Sequence, residues 1–173
     1  MRALLVIVVA GSALLVTAGV RPDVAAAKGL RLTVAERTVL VLINQARADH
    51  GLKAVKARTS LVHAARSHSR DMLKHQFFSH RSHNGESFCA RIRRLGYTVK
   101  GWRHWWVAEC VGYGSGLLAT PEAVVDMWMQ SSAHRAILLN PRWRDVGVGY
   151  TRGTFKGSDG VGLFTLDFGR RTH

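Results

Sequence analysis

Val146-Gly147-Val148-Gly149-Tyr150 and Val161-Gly162-Leu163-Phe164-Thr165-Leu166-Asp167-Phe168 carry the pattern that decides the fold. Both stretches follow the two-residue period of β-strands. The residues between them, from Gly153 to Gly160, are of turn type, so the pair reads as a hairpin. Toward the N-terminus the period lengthens. Thr33 with Glu36 three positions on forms a capping box, after which Val39, Leu40, Ile43 and Ala46 recur at helical spacing until Gly51. A second helix is expected from about Ser60, with Leu61, Ala64, Ala65, His68 and Met72 on one face. A third, short helix is expected from Ser87 to Leu95, stopping at Gly96. The fourth has the clearest start, with Thr120 as cap and Pro121 and Glu122 in the first turn, and it ends near Ser131 and Ser132. The aromatic middle, Trp102 to Gly116, has little periodicity and predicts at most a strand around Trp105–Ala108. Helices followed by an antiparallel sheet define an α+β domain. Neither a phosphate loop nor GxGxxG is present, which argues against a nucleotide-binding parallel sheet.

The front of the chain is of another kind. After Met1-Arg2 the residues are apolar to about Val20, then come Arg21, Pro22, Asp23 and the run Ala25-Ala26-Ala27 before Lys28. A charged n-region, an apolar h-region and an Ala-x-Ala site predict a signal peptide over 1–27, leaving one domain over 28–173. A retained anchor is the rival reading, because about 18 apolar residues just span a bilayer. Secretion, or association with the cell envelope, is therefore expected.

Charge points to the class of partner. The 173 residues include 25 Lys+Arg against 11 Asp+Glu, a formal +14. Beyond residue 27 the balance is 23 to 10, or +13, which is more than solubility requires. Arg91-x-Arg93-Arg94 is the densest run and reads as solvated surface. Such a surface attracts anionic envelope polymers or membrane headgroups. It would also attract nucleic acid, but an exported protein rarely meets any, so no nucleic-acid partner is expected. Two cysteines are too few for a disulfide-dense miniprotein or a four-cysteine zinc site. Outside the cytosol Cys89 and Cys110 are expected to pair, a crosslink worth roughly 3 kcal/mol. Two buried free thiols are the alternative.

Seven short motifs then occur in order. They are Asn44-x-x-Arg47 with Gly51-Leu52, Ala65-x-x-His68-Ser69-x-Asp71-Met72, Phe78-Ser79-His80, Gly96-Tyr97, Ala108-Glu109, Trp128-Met129-x-Ser131-x-x-His134-Arg135-x-Ile137-Leu138, and Gly147-Val148-Gly149. The set resembles the CAP superfamily of cysteine-rich secretory proteins, antigen 5 and pathogenesis-related 1, in its small bacterial form. The likeness runs from about Val34 to Phe168. It implies an α-β-α sandwich around an antiparallel central sheet. It also implies a cleft whose residues match His80, Glu109 and His134 here. Two imidazoles and a carboxylate suit zinc or another divalent cation with a position left open; without metal, the same trio could exchange protons.

Two departures from the family pattern matter. The usual Glu-Asn is Glu109-Cys110 here, and cysteine lacks the amide's hydrogen bonds, so the disulfide is expected to hold that loop. Where eukaryotic members carry a second cleft glutamate, this chain has Ser131, so weaker cation affinity is expected. His68 lies on the apolar helix face and reads as a core histidine, while His63, His75, His83 and His104 show no pattern for ligation. The aromatics around Trp105 read as packing, with an apolar groove for a lipid or sterol as the family-implied alternative. The favoured function is a cation-binding, envelope-associated secreted protein. A hydrolase of peptides, glycans or esters using the same cleft is the alternative, and so is a basic partner-binding protein with a vestigial cleft. Catalysis is disfavoured because no serine elbow, HExxH helix or papain-type cysteine setting is present.

Overall fold

The computed structural model describes residues 29–173, so the expected signal peptide lies outside the described residues. Helix α1 spans Val34–Asp49, and the capping box forms as read: Glu36 N–H donates to Thr33 Oγ1, and Thr33 N–H donates to Glu36 Oε2 at 2.8 Å. Strand β1 is only Lys56–Ala57. Helices α2 (Thr59–His75) and α3 (Phe88–Arg94) follow, then strand β2 (His104–Gly114). Helices α4 (Pro121–Gln130) and α5 (Ser132–Leu138) meet at Ser131, and strands β3 (Asp145–Phe155) and β4 (Ser158–Thr172) form the hairpin.

The sheet runs β1-β3-β4-β2. Its three long strands are antiparallel as expected, but β1 pairs in parallel with β3, so the sheet is mixed. Two residues without periodicity give no sequence signal for such a strand. β2 is also longer than the expected Trp105–Ala108, because eleven positions pair with β4.

Strand parity sorts the side chains into two layers. Val146, Val148, Phe164, Leu166, Phe168 and Cys110 join Val39, Ile43, Val124 and Trp128 in the core against α1 and α4. The alternate positions face α2 and α3, where Met72 packs with Val111 and Leu163, and Leu61 packs with Ile92 and Tyr97. Helices on both faces make the α-β-α sandwich. Helix α2 lies so close to β3 that a Cβ on Gly147 or Gly149 would overlap the backbone of Leu61 or Ala65. The Gly-Val-Gly spacing thus sets the distance between helix and sheet.

The expected Cys89–Cys110 disulfide is not present, and both thiols are free. Parity explains the correction. Cys110 is fully buried on the α4 face of β2, whereas Cys89 rides on α3 over the opposite face. Burial raises the pKa of both thiols. Among the described residues, no helix is long and apolar enough to cross a membrane.

Candidate functional site

The site is built on the odd-numbered positions of β2 and β4. Glu109 lies directly opposite Asp167, on the face toward α2 and α3. The Glu109 side chain is 0% exposed, and its two oxygens have separate partners. Oε1 lies 2.8 Å from His80 Nδ1, and Oε2 accepts from Arg91 Nη2. Arg91 is itself buried, and its Nη1 donates to Ser82 Oγ at 2.9 Å. Its reading as part of a solvated basic run is therefore corrected: Arg91 neutralises a buried carboxylate, while Arg94 on the same helix forms an exposed pair with Glu86. A charge buried this deeply would be costly without such a partner.

His80 reaches Glu109 from the loop after α2. His68, inside that helix, holds the loop: its Nε2–H donates to the carbonyl of Ser79 at 2.7 Å. Burial lowers the His68 pKa and keeps the ring neutral, with Nδ1 buried and unpartnered. The core-histidine reading therefore holds for one nitrogen only. His80 is half exposed, and its hydrogen bond to Glu109 raises its pKa. The hydrogen bond places a proton on Nδ1, so Nε2 is the ligating position of this ring in its neutral form.

His134 comes from α5, where its Nδ1 pairs with Ser131 Oγ at 2.9 Å. Burial lowers its pKa, and so does the nearby His80 charge. Ser131, the position of the family's second glutamate, thus orients His134 with a neutral hydroxyl. The donor atoms of His80, Glu109 and His134 do not all lie within 4.8 Å of one another; among the described residues only Asp71, His75 and His83 meet that condition. Of the expected trio, His80 and Glu109 form a tight pair, and His134 lies near enough for the His80 charge to lower its pKa.

Asp167 was not among the expected site residues. It is completely buried, and neither carboxylate oxygen meets a hydrogen-bond donor. Desolvation and the neighbouring Glu109 push its pKa well above the ordinary aspartate value, which favours the protonated carboxyl. Its only sequence signal is a polar residue in the same parity as Thr165 within an apolar strand. Behind it, Ser69 Oγ–H donates to Thr165 Oγ1 at 2.9 Å and completes a polar seam beneath α2. An imidazole backed by a buried carboxylate can hold a metal through its free nitrogen or exchange a proton there.

Fold and motifs together identify the family. The model of the cysteine-rich secretory protein (CAP) family matches residues 40–168, and the chain belongs to that family. The Bacillus subtilis protein YkwD, itself uncharacterised, is 34% identical over 115 residues, covering 66% of this chain and 42% of YkwD. The B. subtilis membrane protein YlbC, also uncharacterised, is 30% identical over 122 residues, covering 69% of this chain and 32% of YlbC. The chain thus spans less than half the length of either relative. Among solved structures, an extracellular SCP-domain protein of Bacillus anthracis matches with TM-score 0.64 and 23% identity, over 82% of this chain and 45% of that one. An outer surface protein of Borrelia burgdorferi matches with TM-score 0.66 and 17% identity, over 83% and 97%.

Proposed function

We propose that this CAP-domain protein acts outside the cytoplasm as a binding protein whose cleft holds a divalent cation of the zinc class between His80 and His134. The observation that carries the reading is that each imidazole has its Nδ1 occupied, by Glu109 and by Ser131, which leaves Nε2 free on both rings. Metal-binding histidines are commonly held in this way, through the other ring nitrogen. The residues fit a two-imidazole site completed by water better than a three-ligand cage, because both Glu109 oxygens are already engaged. Glu109 therefore orients His80 rather than ligating the ion. A neutral Ser131 behind His134 favours modest affinity.

The basic surface supports an anionic envelope partner. Trp106, Arg142, Arg144 and Arg170 line a hollow of about 660 Å3, a flat ring beside three guanidiniums. Such a set suits a phosphate-bearing polymer or a lipid headgroup. Leu117 and Leu118, 91% and 67% exposed, support contact with lipid. The signal-peptide pattern of residues 1–27 supports export.

Zinc titration by calorimetry tests the cleft. The His80→Ala/His134→Ala double variant is expected to lose one zinc equivalent, and Glu109→Gln to weaken that equivalent by about 10–100-fold. Unchanged zinc binding in the double variant would refute the reading. Hydrolysis of peptidoglycan or esters that disappears with His134→Ala would favour the catalytic alternative.

A further inference from the structure

A second cluster of ligating side chains lies apart from the cleft. Asp71 and His75 stand one turn apart on α2, and His83 folds back onto them from the loop that also carries His80. Asp71 Oδ1 lies 2.5 Å from His83 Nδ1 and 3.7 Å from His75 Nε2, and Asp71 Oδ2 accepts from the His83 backbone N–H at 3.0 Å. The two imidazoles stack with centroids 3.7 Å apart and planes 12° apart. One carboxylate oxygen and one nitrogen from each ring fall within 4.8 Å of one another.

We infer that Asp71, His75 and His83 form a second divalent-metal site, of the zinc class, that clips the loop bearing His80 to α2. Two imidazoles and one carboxylate are the donor set of zinc sites that keep an open position. Nitrogen donors select zinc, copper or nickel over calcium and magnesium. With bonds of about 2.0–2.2 Å in tetrahedral geometry, an ion that displaces the proton between His83 and Asp71 requires their 2.5 Å contact to open to about 3.4 Å. The rings reach it by turning about χ2, a soft torsion. The backbone bond from His83 to Asp71 already fixes the loop where the ligand set is needed. The surrounding hollow, about 410 Å3, is open to solvent and also includes Ser82 and Asn84, so water completes the coordination. Arg70 and Lys74 line the same hollow and hold the affinity below that of a caged structural zinc. The site shares no residue with the cleft, yet His80 lies three positions from His83, so the ion limits the motion of the cleft's own ligand.

Zinc alone is the probe, titrated at pH 7.4 into the full chain purified without a polyhistidine tag. Asp71→Asn, His75→Ala and His83→Ala are each expected to lose one zinc equivalent or weaken it at least about 10-fold. The His80→Ala/His134→Ala variant is expected to retain that equivalent, so failure here and failure of the cleft are separate results. His75 and His83 are exposed, and their replacement leaves the core intact. Tryptic cleavage after Arg81, within the clipped loop, gives a second readout: zinc is expected to slow it in the wild type and not in His83→Ala. Wild-type stoichiometry and affinity in all three variants, or cleavage unaffected by zinc, would overturn the proposal.

Discussion

The two faces of the sheet are built from the same strands and do opposite work. Toward α1 and α4, the even positions of β2 and β4 present Cys110, Phe164, Leu166 and Phe168 to Trp128 and Ile43. Toward α2 and α3, the odd positions present Glu109, Thr165 and Asp167 to Arg91, His68 and Ser69, with aliphatic packing at both ends of this polar seam. One residue of register separates a side chain in oil from one in the site. The apolar face holds the fold, and the polar face spends stability on a buried carboxylate that aims a histidine.

Removing Trp128 from one face or Glu109 from the other should cost similar amounts for different reasons. Trp128→Ala is expected to lose about 3–5 kcal/mol through the cavity it leaves. Glu109→Ala is expected to lose a similar amount, about 3–5 kcal/mol, because it strands Arg91 as a buried unpaired charge. Denaturant melts separate the two causes: adding Arg91→Met should recover much of the Glu109→Ala loss and none of the Trp128→Ala loss. Equal behaviour in both backgrounds would erase the distinction between the faces.

A smaller effect is expected where α2 meets the sheet. Gly149→Ala places a methyl group against the Ala65 backbone and is expected to cost about 1–3 kcal/mol. Gly157→Ala, in the open hairpin turn, has no such overlap and serves as the contrast, its φ of +80° being the one source of strain. A melt that ranks Gly157→Ala as the worse of the two would contradict the close approach of α2.

The smallest effect is one of shape rather than size. Asp167 binds its proton more tightly in the folded chain than in the unfolded one. Its contribution is therefore greatest in acid and declines as pH rises above the ordinary aspartate range. His80, whose pKa is also raised, adds the same sign above the ordinary histidine value. Asp167→Asn is expected to flatten the first decline, so that the variant gains on the wild type from pH 5 to pH 7.5. Parallel stability curves would show that Asp167 is ionised in the fold.

Local chemistry made most of the fold legible. Thr33 with Glu36 and Thr120 with Pro121 are contacts within a few residues, and each formed as read. The hairpin turn is tighter than the expected Gly153–Gly160 stretch, since β3 runs to Phe155 and β4 starts at Ser158. Strand β1 was invisible because two residues carry no period. In the site, His80, Glu109 and His134 came from the family likeness, since intervals of 29 and 25 positions have no local meaning. Arg91 was hidden in a basic run whose other members are solvated, and Asp167 in an apolar strand. The disulfide fails on the placement of both cysteines: Cys110 points to the face opposite Glu109, and the side on which α3 carries Cys89 is set only by the fold. Asp71 and His75 showed no pattern for ligation, because the third member of their cluster arrives from a loop whose path only the fold determines.

The most direct measurement is a crystal grown with zinc chloride and recorded on both sides of the zinc absorption edge. An anomalous peak bonded to Nε2 of both His80 and His134, with Glu109 behind His80 and outside bonding distance, is the predicted result. Zinc bound through Glu109, or no zinc at these two imidazoles, would contradict it.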